Sequence, residues 1–137
     1  MAAVYKLEVV TPERVMLSEN VVSAIAPGAD GVLGILAGHA PLMTELVPGD
    51  IIVVFADNRT TSHIVISGGF MEVSGSRTTI LADSAERADE IDITRAEADL
   101  IAARRMLAET SVGSEQAAAA KQAIAHAEYR VRAAQNR

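Results

Sequence analysis

The chain has 137 residues, half of them hydrophobic, and carries a formal net charge of −6 with no cysteine. This length suits one compact domain with an appendage, and the acidic balance argues against nucleic acid as the main partner, because phosphate binding requires a clustered basic face. The lack of cysteine excludes a disulfide framework, a thiolate metal site and a thiol nucleophile, and it fits a reducing cytoplasm.

Short apolar segments with a period of two extend from Val4 to about Asp83. Tyr5, Leu7 and Val9 alternate with Lys6 and Glu8, as residues on one face of a strand do. Turn signals recur along this part, and the segment 50–56 is apolar on both faces, which is typical of a central strand. The pattern predicts an antiparallel β-sandwich over residues 1–85.

The periodicity changes near Glu86, and we predict a linker over 86–92 and a helical segment over 93–137. Asp92 or Thr94 is the expected N-cap, and Thr94-x-x-Glu97 has capping-box spacing. A break at 110–114, with Ser114 as the next N-cap, predicts two helices in an antiparallel hairpin. Apolar residues recur at +3 and +4 along both helices: Ile93, Ala96, Leu100, Ala103, Leu107, then Ala117, Ala120, Ile124, Ala127, Val131, Ala134.

Alanine dominates both apolar stripes. Each alanine buries little area, and at roughly 25 cal/mol per Å² such a seam stabilises less than a leucine seam. The composition is compatible with a weakly docked, mobile hairpin and with a permanently packed one.

Three local patterns have both a functional and a structural interpretation. Gly28, Gly31 and Gly34 could cradle phosphate, but no Lys-Ser/Thr pair follows, which favours tight turns between strands. His39 has no nucleophile or carboxylate at a recognisable spacing, which favours a role in a turn or an interface. The carboxylates between 83 and 90 do not have calcium-loop spacing, which favours a linker. We therefore assign no catalytic residue and no metal site.

The sequence resembles the epsilon subunit of the rotary proton-translocating ATP synthase. Residues 27–42 resemble the family's G-x-x-G-x-x-G-I-L-x-x-H-A-P-L segment, residues 67–73 its S-G-G-(F/I)-x-E-V strand, and residues 81–85 its L-A-D-x-A strand end. The resemblance implies a β-sandwich of about ten strands followed by a two-helix hairpin. It also implies a non-catalytic subunit that needs no cofactor.

By this resemblance the protein couples proton flow to ATP synthesis or hydrolysis. It implies a c-ring contact at Ala29, Asp30, Gly31 and Val32, and gamma-subunit contacts at His39 and Met43. In many members the hairpin restrains hydrolysis, which implies that Arg104, Arg105 and Arg130 contact the catalytic alpha and beta subunits when the hairpin is extended. A solvated basic face is the alternative. The implied location is the cytoplasmic face of a bacterial inner membrane, peripheral and reached only through the complex.

The resemblance also suggests a nucleotide site. Residues 91–96 match the I/L-D-x-x-R-A motif that binds ATP in nucleotide-responsive members, and the implied set is Glu86, Asp92, Arg95, Ala96 and Arg130. The structural alternative is a helix cap at Asp92. This chain has His126 one turn before Arg130, where those members have a second arginine, so we expect at best weak ATP binding.

The competing hypothesis is a free-standing β-sandwich that binds a small ligand or senses a nucleotide. Such modules usually present aromatic platforms, and this chain has two Phe, two Tyr and no Trp. Co-purification with a large complex at fixed stoichiometry separates the two hypotheses. We recognise no signal peptide and no apolar run of ~20 residues that would span a bilayer.

Overall fold

The computed structural model describes residues 3–135, which form nine strands followed by two helices. The predicted segments 1–85 and 93–137 each extend two residues beyond this described range. The predicted α+β architecture is confirmed. The elements in chain order are β1 (Tyr5–Val10), β2 (Val15–Gly28), β3 (Gly31–Leu36), β4 (Leu42–Leu46), β5 (Gly49–Phe55), β6 (Thr61–Ile66), β7 (Gly69–Ser74), β8 (Arg77–Ala82), β9 (Ala85–Arg87), a 3-10 turn (Ala88–Glu90), α1 (Ile93–Ala108) and α2 (Glu115–Gln135).

Strand β2 joins the two layers of the sandwich because its two halves have different partners. Residues 15–21 pair with β1, whereas the part that follows pairs with β3 and β5. The strand order is β1-β8-β7-β4-β2-β5-β6-β9, with β3 beside β2. Strand β5 lies between β2 and β6, as its two apolar faces predicted. One pair departs from the antiparallel prediction, since β1 and β8 run parallel with Lys6 opposite Arg77.

The core between the layers is aliphatic, as a chain with so few aromatic residues requires. It contains fully buried side chains from most strands, among them Leu7, Val21, Ile51, Ile64 and Ile80. The Tyr5 hydroxyl reaches into this core and donates a 2.8 Å hydrogen bond to the carbonyl of Ile35. Burial raises the pKa of Tyr5 to about 12, so this donor keeps its proton at any physiological pH.

A second, smaller apolar cluster docks the helical hairpin on the sheet. The second half of β6, residues 64–66, is buried on both faces, and Val65 points away from the main core toward Ile91, Ala96, Ala133 and Ala134. Strand β9 pairs with β6, so the sheet continues to Arg87 before the 3-10 turn. Alanines at the predicted stripe positions are buried in both helices: Ala96, Ala103, Ala117, Ala120, Ala127, Ala134.

Both helices begin at a side-chain cap. Asp92 Oδ1 accepts a 3.2 Å hydrogen bond from the backbone N–H of Arg95, and Ser114 Oγ accepts one of 3.0 Å from that of Ala117. Both predicted caps are therefore confirmed. The capping box at Thr94 is wrong, because Asp92 already begins the helix and Thr94 lies inside it. Neither described helix is long and apolar enough to cross a membrane.

Candidate functional site

The turn between β2 and β3 brings the four predicted c-ring contact residues to one exposed tip. Ala29 and Asp30 form the turn, and Gly31 and Val32 begin β3. Gly28 faces Gly31 across the ladder, and a Cβ on Gly28 would lie 2.6 Å from the Gly31 carbonyl oxygen. Gly28 and Gly31 therefore serve a tight turn between strands, whereas Gly34 lies within β3, and no helix follows these glycines to form a phosphate cradle.

Val32 is the apolar residue of this tip. The residue is 73% exposed, although an apolar side chain gains nothing from contact with water. The turn itself is held against β4, where the Ala29 N–H donates a 2.9 Å hydrogen bond to the carbonyl of Glu45. The c-ring contact implied for residues 29–32 stays a prediction, which the exposure of Val32 permits.

The two predicted gamma contacts, His39 and Met43, lie at the next turn and on the strand that follows it. His39 is half-buried in the turn before β4, where its ring Nδ1–H donates a 2.7 Å hydrogen bond to the carbonyl of Ala40. This bond supports the structural role expected for His39. Met43 lies on β4 and is 69% exposed.

Met43 belongs to a larger apolar surface that the sequence analysis missed. Phe70 on β7 and Leu81 on β8 are paired in register, and both side chains are more than half exposed. Together with Met43 they line one shallow depression on the outer face of β4, β7 and β8, and we call these three residues the outer-face patch. Phe70 and Glu72 alternate with the buried Met71, and this period of two could have predicted that Phe70 shares the outer face of the sheet with Glu72. Clustered exposed apolar residues of this kind mark contact surfaces.

The predicted nucleotide residues lie around the start of α1, and the two carboxylates among them already have hydrogen-bond partners. Asp92 is occupied as the helix cap, Ala96 is fully buried, and Arg95 is exposed in the first turn. Glu86 lies on β9, and its carboxylate forms an ion pair with Arg130. Cap chemistry thus accounts for the motif without a ligand.

Arg130 ties the hairpin to the sheet. Its Nε donates to Glu86 Oε1 at 2.7 Å, and its Nη1 donates to Asp99 Oδ2 at 2.8 Å. The Arg130 side chain is only 11% exposed, so the guanidinium connects β9, α1 and α2 in a partly buried network. Burial opposes the charge, but the hydrogen bonds to Glu86 and Asp99 raise the pKa of Arg130 above its usual value. Asp99 was not anticipated, because its pairing depends on the packing of the two helices.

His126 does not replace the missing arginine. It is half-buried, and burial together with the nearby Arg130 charge lowers its pKa, so its ring is neutral at pH 7. A neutral imidazole offers little attraction for phosphate. By contrast, Arg104 and Arg105 are exposed on α1, and Arg104 has only a loose 4.0 Å contact with Glu128.

Comparison with known proteins gives consistent matches. Residues 4–88 match the family model described as ATP synthase, Delta/Epsilon chain, beta-sandwich domain. The ATP synthase epsilon chain of Desulforamulus reducens is 49% identical over 115 residues, which is 84% of this chain and 84% of that protein. The epsilon chain of Herpetosiphon aurantiacus is 55% identical over 92 residues, which is 67% of this chain and 66% of that one.

The fold also matches a solved structure, a chain in the cryo-EM structure of the Euglena gracilis mitochondrial ATP synthase OSCP/F1/c-ring. The TM-score is 0.80 with 24% identity, over 94% of this chain and 80% of the other. At that identity the likeness concerns the fold, including the order of sheet and helical hairpin.

Proposed function

This chain belongs to the ATP synthase delta/epsilon chain family and is a non-catalytic epsilon subunit, and from that membership we propose how its surfaces are used. It couples proton flow through the c-ring to ATP synthesis or hydrolysis, as part of the central stalk on the cytoplasmic face of a bacterial membrane. The similarity to bacterial epsilon chains over most of the chain supports this assignment. That similarity also disfavours a free-standing ligand-binding module.

The outer-face patch is the observation that carries the proposal. Three large apolar side chains, Met43, Phe70 and Leu81, are each more than half exposed on one sheet face. A partner that covered them would remove this surface from water, at about 25 cal/mol per Å². We assign this face, with the adjacent turn at His39, to the gamma subunit, and the tip at 29–32 to the c-ring.

Replacing Met43 with glutamate should weaken gamma binding at least tenfold without unfolding the sandwich. The change places a charge in the centre of an apolar contact, where desolvation is costly, but at a position that water already reaches in the free chain. Binding of the full-length chain to purified gamma subunit, measured by calorimetry, tests it. The control is Glu72→Gln on the same face. Unchanged affinity for Met43→Glu would exclude this face as the contact.

The tip is tested separately in the assembled synthase. Val32→Asp should leave gamma binding intact but lower ATP-driven proton pumping, because the charge faces the proposed c-ring contact at an exposed site. Normal pumping by a complex that contains Val32→Asp would remove the tip from the interface.

The helical hairpin supplies the proposed restraint on hydrolysis. Arg104 and Arg105 are exposed and can contact an acidic surface of the catalytic alpha and beta subunits, whereas Arg130 becomes available only after Glu86 and Asp99 release it. Individual surface ion pairs contribute about 0–1 kcal/mol, so several must act together. Removal of residues 91–137 from the assembled complex should raise its ATPase rate if the hairpin restrains it.

We propose that ATP binds this subunit weakly, in the high micromolar range or looser. Arg95 is the exposed phosphate donor, while Arg130 is already paired with two carboxylates and His126 is neutral. Calorimetric titration of the full-length chain with ATP should give weak heat that disappears in Arg95→Ala. Heat that survives this substitution would show that residues 91–96 form only a helix cap.

A further inference from the structure

A half-buried histidine lies beside the network that ties the hairpin to the sheet. His126 is on α2, one turn before Arg130, and its ring forms no hydrogen bond with any residue between 3 and 135. The charged groups that face it come from three elements: Arg130 from α2 itself, Asp99 from α1 and Glu86 from β9. The ring therefore lies where the three elements joined by the network meet.

This position is unfavourable for a charged imidazole. Burial opposes the charge, and the Arg130 guanidinium repels it. Glu86 and Asp99 attract it, but both already accept hydrogen bonds from Arg130, at 2.7 and 2.8 Å. Burial and the Arg130 charge outweigh these carboxylates and lower the pKa of His126.

Separation of the three elements removes both causes of this shift. In a released hairpin, water reaches the ring and the network charges no longer surround it, so the pKa of His126 returns toward the ordinary value of 6.5. A group that binds its proton more tightly in the released form shifts the equilibrium toward that form as the pH falls.

We propose that protonation of His126 releases the helical hairpin from the sheet. The contribution of neutral His126 to docking is fully present above the ordinary histidine pKa and is lost as the pH falls toward the lower pKa of the docked state. The cluster that docks the hairpin is small and rich in alanine, so it compensates poorly for this loss. Any effect on ATP hydrolysis rests on the proposed restraint, whereas release itself is a property of the isolated chain.

Hydrogen exchange of the isolated full-length chain at about pH 7.5 and pH 5.5 tests the proposal. Each rate is divided by the rate of an unstructured chain at the same pH, which removes the direct effect of pH on exchange. We expect the protection of docked amides in α2 to fall about three- to tenfold between these pH values, while that of β7 stays constant. Tenfold is the most that one histidine with a pKa of 6.5 in the released form can produce over this range.

Two matched variants assign the effect to one histidine. His126→Gln keeps a polar side chain that stays neutral at both pH values, and its α2 protection should fall less than about twofold. His63→Gln is the control, because His63 also lies beneath α2, where its ring donates a 2.7 Å hydrogen bond to Asp50. This variant should retain the full pH dependence.

Two results would overturn the proposal. One is constant α2 protection in the unsubstituted chain between the two pH values. The other is a fall in folded His126→Gln as large as in the unsubstituted chain, which would assign the pH dependence to other groups. Both results concern the free chain, so neither depends on whether the hairpin restrains the assembled synthase.

Discussion

Replacing Gly69 with alanine should destabilise the sandwich by at least about 3 kcal/mol, the largest effect of any substitution considered. Gly69 begins β7 with φ of 149°, a conformation that residues with a side chain rarely adopt. A Cβ at this position would lie 2.1 Å from the carbonyl oxygen of Leu81 and 2.9 Å from the Cα of Ala82. Both atoms belong to the backbone of β8, so the clash can be relieved only by separating two strands of the core.

Urea denaturation of the full-length chain measures this effect. The control is Gly34→Ala on β3, where a Cβ would have no heavy atom within 4 Å. That substitution should change the free energy of unfolding by less than about 1 kcal/mol. Similar stability for Gly69→Ala and Gly34→Ala would mean that β7 and β8 do not approach as described.

Replacing Arg130 with alanine should release the hairpin from the sheet while the sandwich stays folded. The substitution leaves Glu86 and Asp99 close together without the cation that joins them, and Glu86 is two-thirds buried. Loss of a partly buried pair of this kind costs about 2 kcal/mol. The alanine seam buries little apolar area, so it compensates poorly for this loss. Hydrogen exchange should therefore become about 30-fold faster at docked amides of α2 and change little in β5 and β7.

Arg104→Ala is the matched control for this experiment. It removes an arginine of the same hairpin, but its 4.0 Å contact with Glu128 is exposed and should contribute at most about 1 kcal/mol. If exchange in α2 is no faster in Arg130→Ala than in Arg104→Ala, the network does not hold the hairpin.

Features that depend on residues close together in the sequence were predictable from it. The period-two pattern placed Leu7 and Val9 in the core, and the spacing of small residues identified the docking face of both helices. The caps at Asp92 and Ser114 are hydrogen bonds from backbone N–H groups three positions later, so the local sequence is enough to predict them. The glycine-rich turn was also predictable, because the two residues that pair across it, Gly28 and Gly31, are only three positions apart in the sequence.

Features that depend on packing were not predictable in the same way. The Glu86–Arg130–Asp99 network joins three elements, and no local sequence pattern predicts how those elements lie relative to one another. The pairing of Asp50 with His63 follows from the register of β5 and β6. The outer-face patch could be predicted only if β4, β7 and β8 were known to be neighbours in the sheet. The sequence alternation in β7 was enough to predict only that Phe70 faces outward.

The parallel pairing of β1 with β8 also orders events during protein synthesis. Lys6 pairs with Arg77, so the first strand leaves the ribosome about seventy residues before its second neighbour exists. Until then β1 has only β2 beside it, and its other edge is free to pair with another chain. Closing so long a loop is slow compared with helix formation, which makes this pairing the expected rate-limiting step of folding. The helices emerge last, onto a sheet that has just acquired the strands that complete it.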